Sequence, residues 1–190
     1  MTYHASVSQG RAIRYGLAPC WLGHALIAQS DRGICWLALG DDPLLLEEAF
    51  RTAFAKASPT LRVANGAGEC SRMFDRVVEI LENPLESVDV PLDLRGTPFQ
   101  RMVWDALRRI PPGGTLSYAD LAQQVGQPRA VRAVARACGA NPVAVLVPCH
   151  RVVGSDGSMT GYRWGIEAKR RLLQRESEAL VGRASVRWVA

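Results

Sequence analysis

At 190 residues and 48% hydrophobic content, the chain suffices for one domain or two small ones with an apolar core. No apolar run approaches the roughly 18 residues of a membrane span, and the N-terminus lacks the basic and apolar regions of a signal peptide. The five cysteines (20, 35, 70, 138 and 149) are odd in number and show no C-x-x-C pairing, which predicts reduced thiols in a cytoplasmic setting.

Charge is distributed unevenly. Residues 1–94 carry 8 Lys+Arg against 12 Asp+Glu, whereas residues 95–175 carry 13 against 4. The basic segment is almost purely arginine, with Lys169 its single lysine. Clustered guanidiniums suit bidentate phosphate contacts, so a polyanion partner is weighed against a merely solvated basic face.

In chain order, residues 11–40 read as two or three strands, with W-L-G-H-A-L-I-A and G-I-C-W-L-A-L separated by the turn-like Q-S-D-R-G. Helical periodicity follows at 43–56 and 70–82, and the Pro-punctuated N-P-L-E-S-V-D-V-P-L-D-L reads as a connector. Residues 1–90 are assigned to an α/β unit, 91–178 to a mostly α domain and 179–190 to a C-terminal tail.

Thr97 is placed to N-cap a helix that has Pro98 at its first position and Phe99, Val103, Trp104, Leu107 and Ile110 on its apolar face. P-P-G-G stops it. Ser117 caps the next helix, with Asp120 three residues on in a capping-box arrangement. After G-Q-P a third helix is expected from Arg129 to Cys138. Two short helices joined by a tight Gly-containing turn are the pattern of a helix-turn-helix. Arg129, Arg132 and Arg136 are spaced three and four apart and share one face of that third helix, which together with the local charge points to DNA.

The stretch V-A-V-L-V-P-C-H-R-V-V reads as a buried strand halted by Pro148, which presents Cys149 just past the strand end. Cys20, Cys35, Cys70 and Cys138 read as buried structural thiols. Cys149 differs, because Arg151 and His150 beside it lower a thiol pKa and raise its thiolate fraction. Adjacent side chains in extended backbone point to opposite faces, so His150 reaches the sulfur only through a water or a sharp turn. An imidazole base also needs an orienting acid, and Glu167 and Glu176 are the downstream choices. Metal binding by Cys20, His24, Cys35, Cys70 and His4 lacks a zinc-ligand spacing, so no metal is expected.

These residues carry a resemblance. V-P-C-H-R-V-V resembles the active-site signature of the O6-alkylguanine-DNA alkyltransferases, or methylated-DNA–protein-cysteine methyltransferases. R-G-T-P-F-Q-R-M-V-W-D-A-L, I-P-P-G-G-T-L-S-Y-A-D-L-A, A-V-R-A-V-A-R-A, A-N-P and G-Y-R-W-G-I-E-A-K-R-R-L-L-Q-R-E follow the family in order and spacing. The likeness spans about residues 12–178 and is greatest to the alkyltransferase half of Ada-type proteins.

The resemblance implies a ribonuclease-H-like α/β N-terminal domain and a mostly α C-terminal domain with a helix-turn-helix. It also implies a DNA-repair activity in which a flipped O6-alkylguanine, and also O4-methylthymine, gives its alkyl group to Cys149. Cys149 matches the acceptor, and His150 and Glu176 match the water-bridged relay. Tyr118 matches the tyrosine that bonds guanine N3, and Asn141 the brace of the active-site turn. Arg132 matches the arginine that fills the vacated stack and Ala133 its groove-packing neighbour, with Arg129, Arg136 and Arg151 as further DNA contacts. Tyr162, Arg163, Trp164, Val152 and Lys169 match the substrate pocket, in which Trp164 stands where some relatives carry smaller residues.

One irreversible transfer per molecule, no cofactor, duplex DNA as partner, no membrane, a monomer and a bacterial-type cytoplasmic location follow. A non-catalytic lesion-recognition protein or a helix-turn-helix regulator is the alternative, but in such lesion binders the acceptor cysteine is replaced. A Cys-His hydrolase leaves the basic helix unexplained. The N-terminus starts close to the domain edge, with no metal-binding sensor domain before it.

Overall fold

The computed structural model describes residues 2–8, 11–54, 61–62, 69–85 and 90–185, with side-chain surroundings given for 13–54, 72–85 and 90–183. The chain separates into two compact units, Met1–Asn83 with Ser87–Arg95 and Pro84–Glu86 with Gly96–Ala190.

In the first unit, β1 (Thr2–Ser8), β2 (Arg11–Cys20), β3 (Gly23–Ser30), β4 (Gly33–Gly40) and the short β5 (Leu61–Arg62) form an antiparallel sheet of order β4-β3-β2-β1-β5. Sequence periodicity gave the strands within 11–40 but not β1, whose T-Y-H-A-S-V-S is short of the apolar residues that mark a core strand. Leu26, Ile27 and Ala28 on β3, and Ile34 through Leu39 on β4, are buried. Two helices, α1 (Pro43–Phe54) and α2 (Glu69–Glu82), pack on this sheet. Phe50 on α1 meets Tyr15 at 4.6 Å and Trp36 edge-on at 6.2 Å between ring centroids.

The expected connector does not run free after residue 90. The Ile34 amide donates to the Pro91 carbonyl and the Asp93 amide to the Ile34 carbonyl, both at 2.8 Å. Asp93 is buried and accepts from Ser30 at 2.8 Å and from Arg95 at 2.7 Å. Cys35 is buried as expected. Cys20 is partly exposed at the β2–β3 turn, which corrects its assignment as a core thiol, and the Cys70 side chain lies outside the described residues.

In the second unit, α3 (Pro98–Leu107) begins at Thr97, whose side chain accepts from the Gln100 amide while Gln100 returns a bond to the cap. Val103, Trp104, Ala106 and Leu107 are buried, and the Trp104 indole donates to the Ala137 carbonyl at 2.8 Å. That bond satisfies the indole N–H in an apolar setting and ties α3 to α5 (Val131–Gly139). Between them α4 (Tyr118–Gln124) starts in the Ser117–Asp120 capping box.

The third helix starts two residues later than the sequence predicts. Pro128 and Arg129 are the middle residues of a turn closed by the Ala130 amide on the Gln127 carbonyl at 2.8 Å. Arg129 is therefore exposed ahead of α5, and only Arg132 and Arg136 share its exposed face. A short parallel pair, β6 (Leu116–Ser117) with β7 (Val152–Val153), and the long α6 (Ile166–Ser185) complete this unit. α6 carries on past residue 178, where the sequence reading begins a tail.

Candidate active site

The run Val143–Val147 is not a strand. It closes a tight turn, with the Val147 amide on the Val143 carbonyl at 3.2 Å and Val145 at φ 62°. A β-branched residue is strained in the left-handed region by about 1–3 kcal/mol, so the surroundings must enforce it. Asn141 does so: its Oδ1 accepts from the Val143 amide at 2.9 Å and its Nδ2 donates to the Val147 carbonyl at 2.7 Å. Val143, Ala144, Leu146 and Val147 are buried all the same, with only Val145 of the run partly exposed, which is why hydrophobicity alone suggests a strand.

Pro148 ends the turn, and Cys149–Arg151 form a single 3-10 turn before β7. This curvature puts Cys149, His150 and Arg151 in three separate environments, which extended backbone does not allow. Cys149 is 4% exposed, and its sulfur accepts from Asn141 Nδ2 at 3.2 Å. The expectation of a lowered thiol pKa is overturned, because burial pushes it up to about 11 against the opposing Asn141 bond and the Lys169 and Arg163 charges. At neutral pH the resting group is a thiol that needs a base.

His150 is 0% exposed, and burial holds it below its usual pKa despite the opposing carboxylate. Its Nε2 lies 2.8 Å from Glu176 Oε1. Bonds from His150 and Arg151 outweigh desolvation and pull Glu176 down to about 2, so it is an anion that only accepts. The proton of the neutral ring is therefore on Nε2, and Nδ1 presents a lone pair. That Nδ1 is buried with no hydrogen-bond partner among the described residues. Of the two candidate acids, Glu167 is exposed and pairs with Arg170, and Glu176 is the one brought to His150.

Arg151 is not available to a DNA backbone, which corrects its sequence assignment. It is 8% exposed, its Nη2 is 2.8 Å from Glu176 Oε1, and its Nη1 donates to the Ile110 carbonyl. Glu176 also accepts from the Gly113 amide at 2.8 Å. Gly113 sits at φ 73°, and a Cβ there would come within 2.2 Å of Leu180, so the P-P-G-G turn needs glycine at this point.

On α6, Lys169, Leu172 and Glu176 are buried at positions i, i+3 and i+7 of one face. The Lys169 ammonium donates to the Val152 carbonyl at 2.6 Å and the Thr160 carbonyl at 3.3 Å. It braces pocket main chain, and no sequence pattern announces a bond to a carbonyl. Tyr118 donates to the same Thr160 carbonyl at 3.0 Å, and burial raises its hydroxyl to about 12, so it stays a neutral donor. Tyr162 has a buried hydroxyl without a partner among the described residues; its ring meets His150 edge-on at 6.4 Å and Trp164 at 5.2 Å between centroids. Arg163 is exposed, its guanidinium 5.9 Å from the Trp164 ring centroid. Ala133 is partly exposed between Arg132 and Arg136. Among the described residues no group of three or more His, Cys, Asp or Glu is placed to hold a metal, and no helix is long and apolar enough to cross a membrane.

The Glu176 shift predicts acid sensitivity. A carboxylate whose folded pKa is depressed stabilises the fold above its unfolded pKa and loses that contribution as pH falls through the folded value. The second unit should lose on the order of 3 kcal/mol between about pH 4.5 and pH 2 from this group. Urea unfolding monitored at several pH values checks this, and Glu176→Gln should flatten the dependence in that window.

Four matches to known proteins fit this geometry. The model of the 6-O-methylguanine DNA methyltransferase DNA-binding domain matches residues 98–178. The bifunctional transcriptional activator/DNA repair enzyme Ada of Escherichia coli is 47% identical over 171 residues, covering 88% of this chain and 46% of that protein. The chain thus spans about half the length of that relative. The inducible methylated-DNA–protein-cysteine methyltransferase of Bacillus subtilis is 40% identical over 153 residues, 80% of this chain and 84% of that protein. The crystal structure of Mycobacterium tuberculosis OGT in complex with DNA superimposes with a TM-score of 0.68 at 34% identity, covering 87% of this chain and 93% of that one. The chain belongs to the methylated-DNA–protein-cysteine methyltransferase family.

Proposed function

We propose that this protein repairs alkylated DNA by moving the alkyl group of O6-alkylguanine, and of O4-methylthymine, onto its own Cys149. The observation that carries this reading is a buried thiol beside a neutral imidazole whose Nε2 is bonded to Glu176 and whose Nδ1 keeps its lone pair. The thiol proton passes through a water to His150, and the sulfur attacks the alkyl carbon in line as the carbon–O6 bond breaks. Tyr118 exchanges the Thr160 carbonyl for guanine N3 and steadies the charge that builds on the leaving base, and the proton taken up by His150 passes to the guanine, which leaves neutral. Asn141 holds the turn that aims the sulfur. A thioether has no easy leaving path, so each molecule acts once and no cofactor takes part.

The carbonyls of Cys149 and Val152 and the Arg163 amide read the flipped guanine, with Lys169 fixing the Val152 carbonyl and Tyr162 and Trp164 walling the pocket. The α4–α5 pair acts as the helix-turn-helix of the second unit, whose main span begins at Gly96 and not at residue 91 and runs past 178, and the first unit is its ribonuclease-H-like companion. The likeness to a DNA-bound relative and the exposed Arg129, Arg132 and Arg136 support duplex DNA as the partner of a monomer. The working place is the bacterial cytoplasm, on the nucleoid when bound. A methyl-transfer assay on duplex DNA carrying O6-methylguanine tests the reading; binding without transfer would favour a lesion-recognition protein.

Arg132, near the start of α5, takes the place of the flipped nucleotide, with Ala133 packed in the groove beside it. Arg132→Ala should slow repair of duplex DNA more than transfer from the free base O6-methylguanine. Equal loss on both substrates would reduce Arg132 to a support of the fold. Arg136, one turn on, contacts phosphate, and Arg136→Ala should weaken binding evenly across sequences and reduce the salt slope by about one unit. Fluorescence anisotropy at several salt concentrations reads that slope.

A further inference from the structure

Resting on the thiol-to-imidazole reading above, we propose that Arg151 is a positioning residue of the transfer reaction. Its guanidinium holds Glu176 as a pure hydrogen-bond acceptor and so fixes which nitrogen of His150 carries the proton. The fork is specific: Arg151 Nη2 and Nε lie 2.8 and 3.1 Å from Glu176 Oε1, the same oxygen that sits 2.8 Å from His150 Nε2. Nε also reaches Oε2 at 3.2 Å, and Oε2 accepts from the Gly113 amide at 2.8 Å. With Nη1 on the Ile110 carbonyl, the guanidinium is anchored to the backbone ahead of the P-P-G-G turn.

Among the described residues, few groups face the His150–Glu176 pair. Cys149 and Arg151 come from the 3-10 turn, Tyr162 from the loop before α6, and Lys169 from α6 itself. Of these only Arg151 places a charged group on the carboxylate, since the Lys169 ammonium is bonded to the Val152 and Thr160 carbonyls. A buried carboxylate with no cation takes up a proton readily. If Glu176 took it, the acid would donate to Nε2 and the ring hydrogen would move to Nδ1. If the ring took it, both nitrogens would carry hydrogen. Either way Nδ1 loses the lone pair that receives the thiol proton.

The test uses the full chain labelled with nitrogen-15 histidine. The sequence has three histidines, and His150→Gln assigns the signal of interest. At neutral pH the wild-type ring should be neutral with its hydrogen on Nε2. In Arg151→Gln it should carry hydrogen on Nδ1, and methyl transfer should fall at least about tenfold at neutral pH, with the loss shrinking as pH rises and the extra proton leaves. An Arg151→Gln ring that keeps the Nε2–H form, or a loss of rate by one factor at every pH, overturns the proposal. Should Arg151→Gln fail to fold, Arg151→Lys carries the test, because an ammonium on the carboxylate must keep the Nε2–H form; a ring with hydrogen on Nδ1 there overturns it. A wild type that transfers no methyl refutes the functional reading instead, and the nitrogen shifts still decide the role of Arg151.

Discussion

Cys149→Ala protein is expected to bind O6-methylguanine duplex DNA with near wild-type affinity and to transfer nothing. On the proposed reading, affinity rests on exposed arginines outside the thiol's surroundings, whereas transfer needs the sulfur itself. Among the described residues the thiol makes one side-chain bond, from Asn141, so its removal should cost the fold only on the order of 1 kcal/mol. Cys149→Ser should be equally inactive, because a hydroxyl is a far weaker nucleophile with the same single base to activate it. Anisotropy on a lesion-bearing duplex measures binding, and loss of labelled methyl from the same duplex measures transfer. Weakened binding in step with lost transfer would mean that the Cys149 turn shapes the DNA surface as well.

The second large effect is expected at Trp164. Its ring is half-buried, edge-on to Tyr162 at 5.2 Å, and Tyr162 in turn meets the His150 ring. On the proposed reading, an indole on that wall narrows the space left for an alkyl substituent in line with the sulfur. Misalignment near 1 Å costs about a hundredfold in rate. Methyl should therefore transfer rapidly and benzyl slowly, and Trp164→Gly should speed reaction with O6-benzylguanine by about that factor while changing methyl transfer little. The competing account makes Trp164 plain packing, in which case the substitution loosens the fold and slows both substrates alike. Inactivation rates by the two bases at matched folded concentration separate the two accounts.

Local chemistry was legible in the sequence where the signal is local. The Thr97 and Ser117 caps, each with its partner three residues on, place α3 and α4, and apolar periodicity places α1 and α2. The run Val143–Val147 was misread because a hydrophobic stretch reports burial, and the turn is imposed by Asn141, whose side-chain bonds mimic the ladder a strand would make. Arg151 was misread for a related reason: surrounded by basic sequence it resembles a phosphate ligand, yet its partners, Glu176 and Ile110, lie 25 and 41 residues away. The Cys149 pKa was expected low from charged neighbours in sequence, but desolvation by a closed core outweighs charges committed elsewhere. Glu176 and Glu167 were equal by composition, and only the fold, or a family resemblance, separates them.

On the proposed reading Cys149 is the alkyl acceptor in a single stoichiometric step. Intact mass and peptide mapping after incubation with excess O6-methylguanine duplex test it most directly. One added methyl group per molecule is expected, on the peptide containing Cys149, with transfer stopping at one equivalent. A methyl group on Cys138 or Cys20, or repair that continues past one equivalent, would contradict it.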